Sequence, residues 1–282
     1  KDETLIRKLN LFDFSHLPVD MLLPYYWEPT YLEQKELENC TTRTYTYKKY
    51  PNYELKLQVD QAYSKSPTPF IILIHGGGWE AGDYAGHERM SRFLASHGIT
   101  GIRISYSLLP QGAKMKDAWS DIQDALKYVQ NHAKEFNINP NRFGFAGHSA
   151  GGHLSAYAAM RTPGTKLLVA INGVYDLNQI QPGFEPNDHH FQFLGTTTAD
   201  RKTASPINYV HPKAPHSVFF YSSGDFLIDP GQIKLMTDKL NENNVSYELI
   251  EKDFYSHDGF ISLTDLHEST LMKILILAQT YL

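Results

Sequence analysis

Ser149 lies in the five-residue stretch GHSAG, residues 147–151, with a glycine two positions away on either side. A serine hydroxyl is a weak nucleophile unless an imidazole takes its proton and a carboxylate holds that imidazole in place. Both partner types follow downstream, in the order that a serine on a strand-to-helix turn requires. Asp225 comes after the apolar run HSVFFYSS, and His257 after YELIEKDFYS. Upstream, IILIHGGGW runs from an apolar stretch into consecutive glycines. Such glycines let backbone N–H groups approach a substrate oxygen with no Cβ in the way. Gly77 and Gly78 are the candidate oxyanion-hole donors, joined by the N–H of Ala150, and Trp79 beside them is the candidate substrate contact.

Each of these features has a plainer reading. GHSAG is also a tight turn with an incidental serine. Its setting favours chemistry: RFGFAG before it reads as a strand and GGHLSAYAAM after it as a helix, whose N-terminus favours developing negative charge. Asp225 could cap a helix starting near Pro230, but Asp229 is the better placed for that task. His257 is one of 13 histidines. His267 is a rival base, although it falls at the start of a helix rather than just after a strand. The HGGG loop could cradle a phosphate, but no Lys-Ser/Thr follows it. Asp188, His189 and His190 form a local cluster, with His87, His97 and His153 scattered. None shows metal-ligand spacing, so no metal is expected, and the cluster reads as a polar lid or surface. Asp176, after NGVY, reads as a turn residue.

The elements that must position these residues follow from periodicity. YELKLQVDQAY alternates, placing Tyr53, Leu55, Leu57 and Val59 on one face and Glu54, Lys56, Gln58 and Asp60 on the other. It reads as a half-buried antiparallel strand, paired with TTRTYTYKKY across a turn at Pro51 and Asn52. Six short apolar runs follow: PFIILIHGGG, GITGIRISYSL, NRFGFAGHS, KLLVAINGVYD, HSVFFYSSGD and VSYELIEKDF. Helical periods alternate with them over 88–97, 114–136, 152–161, 230–243 and 268–282. The expected fold is α/β: a mostly parallel central sheet with helices on both faces and any site at one edge of the strands. Residues 177–202 fit neither period and are expected to form a short lid. Residues 1–38 are expected to form an arm packed on a single 39–282 domain.

Composition bounds the function. The chain has 282 residues, of which 41% are hydrophobic, enough for one sizeable core. A net charge of −5 without a long Lys/Arg run offers no footprint for nucleic acid. YKKY at 47–50 is the densest basic spot before the core, and a solvated strand face accounts for it. The single cysteine, Cys40, excludes an intramolecular disulfide and any Cys-based metal site. Apolar runs such as FIILI are far too short to span a bilayer. The sequence opens on Lys1 rather than Met, as expected where a leader or other segment has been removed. Export to the periplasm or beyond with such a leader cut off, and a cytoplasmic location, both fit.

On HGGGW, GHSAGG, FLG (193–195), ASPINYV (204–210), GDFLI (224–228) and His257, the chain resembles α/β-hydrolase-fold carboxylesterases of the group related to hormone-sensitive lipase. Within that group it is most similar to bacterial esterases acting on acylated carbohydrates, such as acetyl xylan and feruloyl esterases. The resemblance covers roughly residues 53–282. It implies a serine esterase with the triad Ser149, Asp225 and His257, acting without a cofactor on a small-molecule or carbohydrate ester. A peptidase or aryl formamidase on the same fold, and a non-catalytic binding module, are the rival expectations. Two departures stand out. Ser222 replaces a glycine that often precedes the acid, and Asp258 is inserted after the base, giving HDGF.

Overall fold

The computed structural model describes residues 39–253, 256–262 and 264–282 and, within these, every side chain except those of residues 262 and 264–267. The arm expected over 1–38 and the side chain of His267 lie outside the described residues.

The hairpin forms where alternation placed it. Strand β1 (Cys40–Lys49) pairs antiparallel with β2 (Glu54–Ala62) around Pro51 and Asn52. The six apolar runs become β3 (Thr68–Ile74), β4 (Thr100–Ile104), β5 (Ile138–His148), β6 (Leu167–Ile171), β7 (His216–Ser222) and β8 (Tyr247–Lys252). Together these make an eight-stranded sheet among the described residues, ordered β1-β2-β4-β3-β5-β6-β7-β8. Strand β2 runs antiparallel to β4, and β4 through β8 are mutually parallel.

Both faces of the central strands are buried, which is why β3 and β6 are apolar along nearly their whole length, whereas the edge strand β8 carries exposed charges. Along β3, Phe70, Ile72 and Ile74 enter one core, whereas Ile71 and Leu73 enter the other. The first core is closed by three helices: α2 (Met115–Asn131), α3 (Ala150–Arg161) and α6 (Gly231–Glu242). The second is closed by α1 (Glu88–Ser96) and α8 (Thr264–Tyr281), with Phe260 of α7 (Gly259–Ser262) beneath them. Between β6 and β7 the 177–202 segment carries two short helices, α4 (Asp188–Leu194) and α5 (Thr198–Ala204). Among the described residues no helix is long and apolar enough to cross a membrane.

Three expectations need correction. Helix α2 stops at Asn131 rather than at 136, with His132 as its C-cap and the His132 ring Nδ1–H donating to Tyr128 O at 2.8 Å. Phe136 is buried all the same, carried into the core by the following turns. Lys48 of the YKKY stretch is no solvated charge: its Nζ lies 2.7 Å from the buried Asp121 carboxylate and ties the hairpin to α2. Asp60 alternates onto the face expected to meet water, yet it is fully buried. Helix α1 covers that face. The Asp60 carboxylate accepts Arg103 Nε–H at 2.8 Å and Nη2–H at 3.2 Å, plus the hydroxyls of Ser91 and Thr42. Arg103 also donates to Tyr84 O at 3.1 Å and Ala85 O at 3.4 Å, pinning the loop that follows the glycine-rich stretch.

Such a pair is costly to break from one side, because the surviving charge stays buried. Arg103→Met is expected to lower unfolding free energy by about 3–5 kcal/mol. In Asp60→Leu/Arg103→Met most of that loss returns, as urea titration of both variants will show.

Candidate active site

The turn at Ser149 is built by backbone approach. Strand β5 ends at His148 and α3 begins at Ala150, so one residue must reverse the chain. Ser149 does so at φ 59° and ψ −124°, a conformation that non-glycine residues rarely adopt. Its N–H donates to Ile171 O at 2.9 Å, and its carbonyl accepts the His153 N–H at 3.0 Å. The flanking glycines allow this. A Cβ on Gly147 would lie 2.4 Å from Gly151 O, and one on Gly151 would lie 2.0 Å from Ile74 O. The serine itself is half-buried.

Asp225 and His257 meet directly. Both are buried, and Asp225 Oδ2 accepts the His257 Nδ1–H at 2.7 Å. A carboxylate has no proton to give, so Nδ1 carries the hydrogen and Nε2 is the basic nitrogen. The other carboxylate oxygen accepts the N–H groups of Leu227 at 2.9 Å and Ile228 at 3.0 Å, which fixes the acid. The N-cap of α6 is Pro230, and Asp229 just before it accepts the Gly231 N–H on Oδ1 at 2.8 Å. The carbonyl of His257 accepts two side-chain hydrogens: His148 Nε2–H at 2.9 Å and Asn172 Nδ2–H at 2.7 Å. His257 is thereby tied, through its own backbone, to the residue preceding Ser149. Among the described residues the Ser149 hydroxyl makes no hydrogen bond, and of these three side chains only those of Asp225 and His257 are bonded to each other.

Burial first, then the neighbouring His257, holds the His148 ring well below the ordinary histidine range. It is therefore a neutral donor. His148, His257 and Asp258 place ligand atoms within 4.8 Å of one another. Of these two rings, His148 gives its Nε2–H to a carbonyl and His257 its Nδ1–H to Asp225.

The glycine-rich loop lies beside the serine. A Cβ on Gly76 would come within 3.3 Å of Ser149 Cβ and 2.9 Å of His148 O. Gly77 and Gly78 have φ of 103° and 60°, and the loop closes on itself through Glu80 N–H and Ala81 N–H to Gly77 O. Those bonds leave out the N–H groups of Gly77 and Gly78. Ala150 opens α3 immediately after the serine.

Trp79 differs from expectation. Its indole is 2% exposed within the core and presents no stacking face to a substrate. Its Nε1–H donates to His153 Nδ1 at 3.2 Å, and His153 Nε2–H donates to Ala204 O at 2.9 Å. Trp79 therefore anchors the glycine loop to α3 and to the end of α5. His190, on α4, packs edge-on against Trp79 with ring centroids 5.7 Å apart, and His189 Nε2 pairs with Glu80 at 2.6 Å. The DHH cluster thus sits against the glycine loop. Asn172 is the residue that the sequence reading missed. It ends a predicted strand as part of an NG pair, and nothing in that local pattern points to His257, 85 residues away.

Comparison with known proteins follows the same outline. The BD-FAE family model matches residues 55–240, about two thirds of the chain. A 101-residue stretch, 35% of this chain, is 41% identical to an acetyl esterase of Salmonella schwarzengrund, and 40% identical to that of Salmonella paratyphi B. The chain spans 31% of the length of these relatives. Among solved structures, the apo form of Thermogutta terrifontis esterase 2 superposes with a TM-score of 0.73 at 20% identity, over 92% of this chain and 99% of that one. The same esterase phosphonylated by sarin gives 0.72 at 22% identity, over 84% and 92%. This is the α/β-hydrolase fold.

The wire from Trp79 to Ala204 works only while His153 is neutral, since Nδ1 must accept. Burial pushes the His153 pKa down to about 4. The unfolded chain, near pKa 6.5, then binds the extra proton first. Its contribution is complete above about pH 6.5 and falls as pH drops towards 4, by roughly 3 kcal/mol in all. Urea titrations between pH 7 and pH 4.5 are expected to show a steeper loss for the parent protein than for His153→Gln.

Proposed function

This chain belongs to the BD-FAE family, and from that membership we propose that it is a serine esterase cleaving carboxylic esters through an acyl-enzyme. The observation that carries the reading is the 2.7 Å bond from His257 to Asp225, on a loop tied to the turn that bears Ser149. With Nδ1–H committed to the carboxylate, Nε2 is the nitrogen that takes the Ser149 proton as Oγ attacks the ester carbonyl. The N–H groups of Gly77, Gly78 and Ala150 receive the oxyanion, each worth about 3 kcal/mol of barrier. His257 then returns the proton to the departing alcohol. In the second half, water attacks the acyl-enzyme under the same base.

The proposed substrates carry small acyl groups on carbohydrates or simple alcohols. The names of the relatives, acetyl esterases, support a short acyl chain. So does esterase 2 of Thermogutta, solved with propionate and with butyrate bound. The packing of α4 against the glycine loop supports the 177–202 segment as the lid over this pocket. That Thermogutta protein is phosphonylated by sarin, and the corresponding label here is proposed to fall on Ser149.

The test is p-nitrophenyl ester turnover across acetyl, butyryl and octanoyl chains. Acetyl and butyryl esters are expected to turn over faster than octanoyl. Ser149→Ala is expected to lower kcat at least about 10⁴-fold and to abolish fluorophosphonate labelling. Equal turnover by parent and variant would remove the assignment.

A further inference from the structure

His257 lies between β8 and α7, and a bond at Nδ1 does not by itself stop the ring from moving with its backbone. Its carbonyl oxygen is where that movement is stopped. Two side chains, His148 and Asn172, 4% and 3% exposed, donate to this one oxygen at 2.9 and 2.7 Å. Their positions are not independent of the serine. The Ser149 N–H bonds Ile171 O, and the two donors are the residues flanking that bond, His148 before Ser149 and Asn172 after Ile171. Asn172 also reaches the acid's strand, its Oδ1 accepting the Ser222 N–H at 3.2 Å and its own N–H donating to Phe220 O at 2.9 Å. At φ 46° it adopts a conformation that asparagine tolerates better than most residues.

We propose that His148 and Asn172 are positioning residues of the reaction: together they grip the His257 carbonyl and set how far the imidazole stands from the Ser149 hydroxyl. The proposal rests on the esterase reading above. It explains why a polar pair is buried behind the base, where apolar side chains would satisfy packing alone. Both lone pairs of the carbonyl are used, so neither donor substitutes for the other. The nucleophile, the acid and the base then share one hydrogen-bonded frame, spanning the ends of β5, β6 and β7.

Three variants test it. His148→Phe keeps the ring's bulk and removes the donor. His148→Gln keeps an N–H at the Nε2 position. Asn172→Asp keeps the acceptor for Ser222, removes the donor and sets a carboxylate oxygen against the His257 carbonyl. Thermal melts identify the folded variants. A misplaced base costs rate without costing binding, so His148→Phe and Asn172→Asp are expected to lower kcat about 10²-fold with KM little changed. His148→Gln is expected to recover most of that loss, which a space-filling role for His148 would not give. The second readout needs no turnover. The His257 Nδ1–H, bonded to Asp225, should give a downfield proton resonance in the parent protein that is absent in Asp225→Ala. It should shift or broaden in His148→Phe and Asn172→Asp and return in His148→Gln. Folded variants with parental kcat and an unmoved resonance would overturn the proposal. If the parent protein turns over no ester, the esterase reading fails, while the resonance still decides whether the grip exists.

Discussion

The end of β3 and the start of α3 touch backbone to backbone, and the site is arranged around that contact. With hydrogen alone on the Gly151 α-carbon, the helix can begin against the Ile74 carbonyl. With none but glycine at 147, the strand can reverse in a single residue. The reversal places Ser149 between the last residue of β5 and the first residue of α3. It also forces Ser149 into a strained conformation, held by bonds to Ile171 and His153 on either side. Strand β6 must therefore lie close beside β5, and whatever follows Ile171 is delivered next to the serine. The base loop is anchored by the two residues that this register places there.

Neutral histidines perform much of the wiring. An imidazole without charge donates from one nitrogen and accepts at the other, so it can join two elements that offer a donor and an acceptor. His153 does this between Trp79 and Ala204, linking the glycine loop to the end of α5. A protonated ring would have two donors and would break the chain of bonds. Complete burial keeps the ring uncharged, so packing and hydrogen bonding support the same state. On the other side of the sheet the strategy is reversed. Asp60 and Arg103 form a buried ion pair, with Arg103 also donating to a backbone carbonyl. That network holds the far end of the glycine loop at Tyr84 and Ala85, so the loop is anchored from both cores.

The strands and the turn at Ser149 could be read from the sequence because each depends on local pattern: alternation, an apolar run, a glycine beside a serine. The strand-to-helix context of Ser149 is entirely local. What could not be read depends on residues distant in the chain. Asp60 sits on the polar side of a clean alternation, and only the arrival of α1 and Arg103 makes that side a core. Trp79 follows the glycines as a substrate contact would, yet its indole N–H finds His153, 74 residues on, and turns inward. Asn172 looks like a turn former, and it is one. Its second task appears only when the base loop folds over it. Helix α2 ends at Asn131 although the apolar period runs on to Phe136, which the following turns still bury.

The residue between Gly147 and Ser149 faces an electrostatic demand that histidine meets in a particular way. In the proposed mechanism His257 becomes cationic as the serine attacks, and Asp225 stabilises that charge. The His148 ring centre is only 4.7 Å from that of His257. A cation there would oppose the imidazolium, and an anion would compete with Asp225 for it. A buried, uncharged ring that donates to the His257 carbonyl does neither, yet it still supplies a bond. The inserted Asp258 does not upset this balance. Its side chain is 63% exposed, so water screens it, and its carboxylate stands 3.7 Å from His148 Nε2, which is already committed to the carbonyl. The insertion is accommodated because its charge faces solvent, while the groups that govern the base are buried.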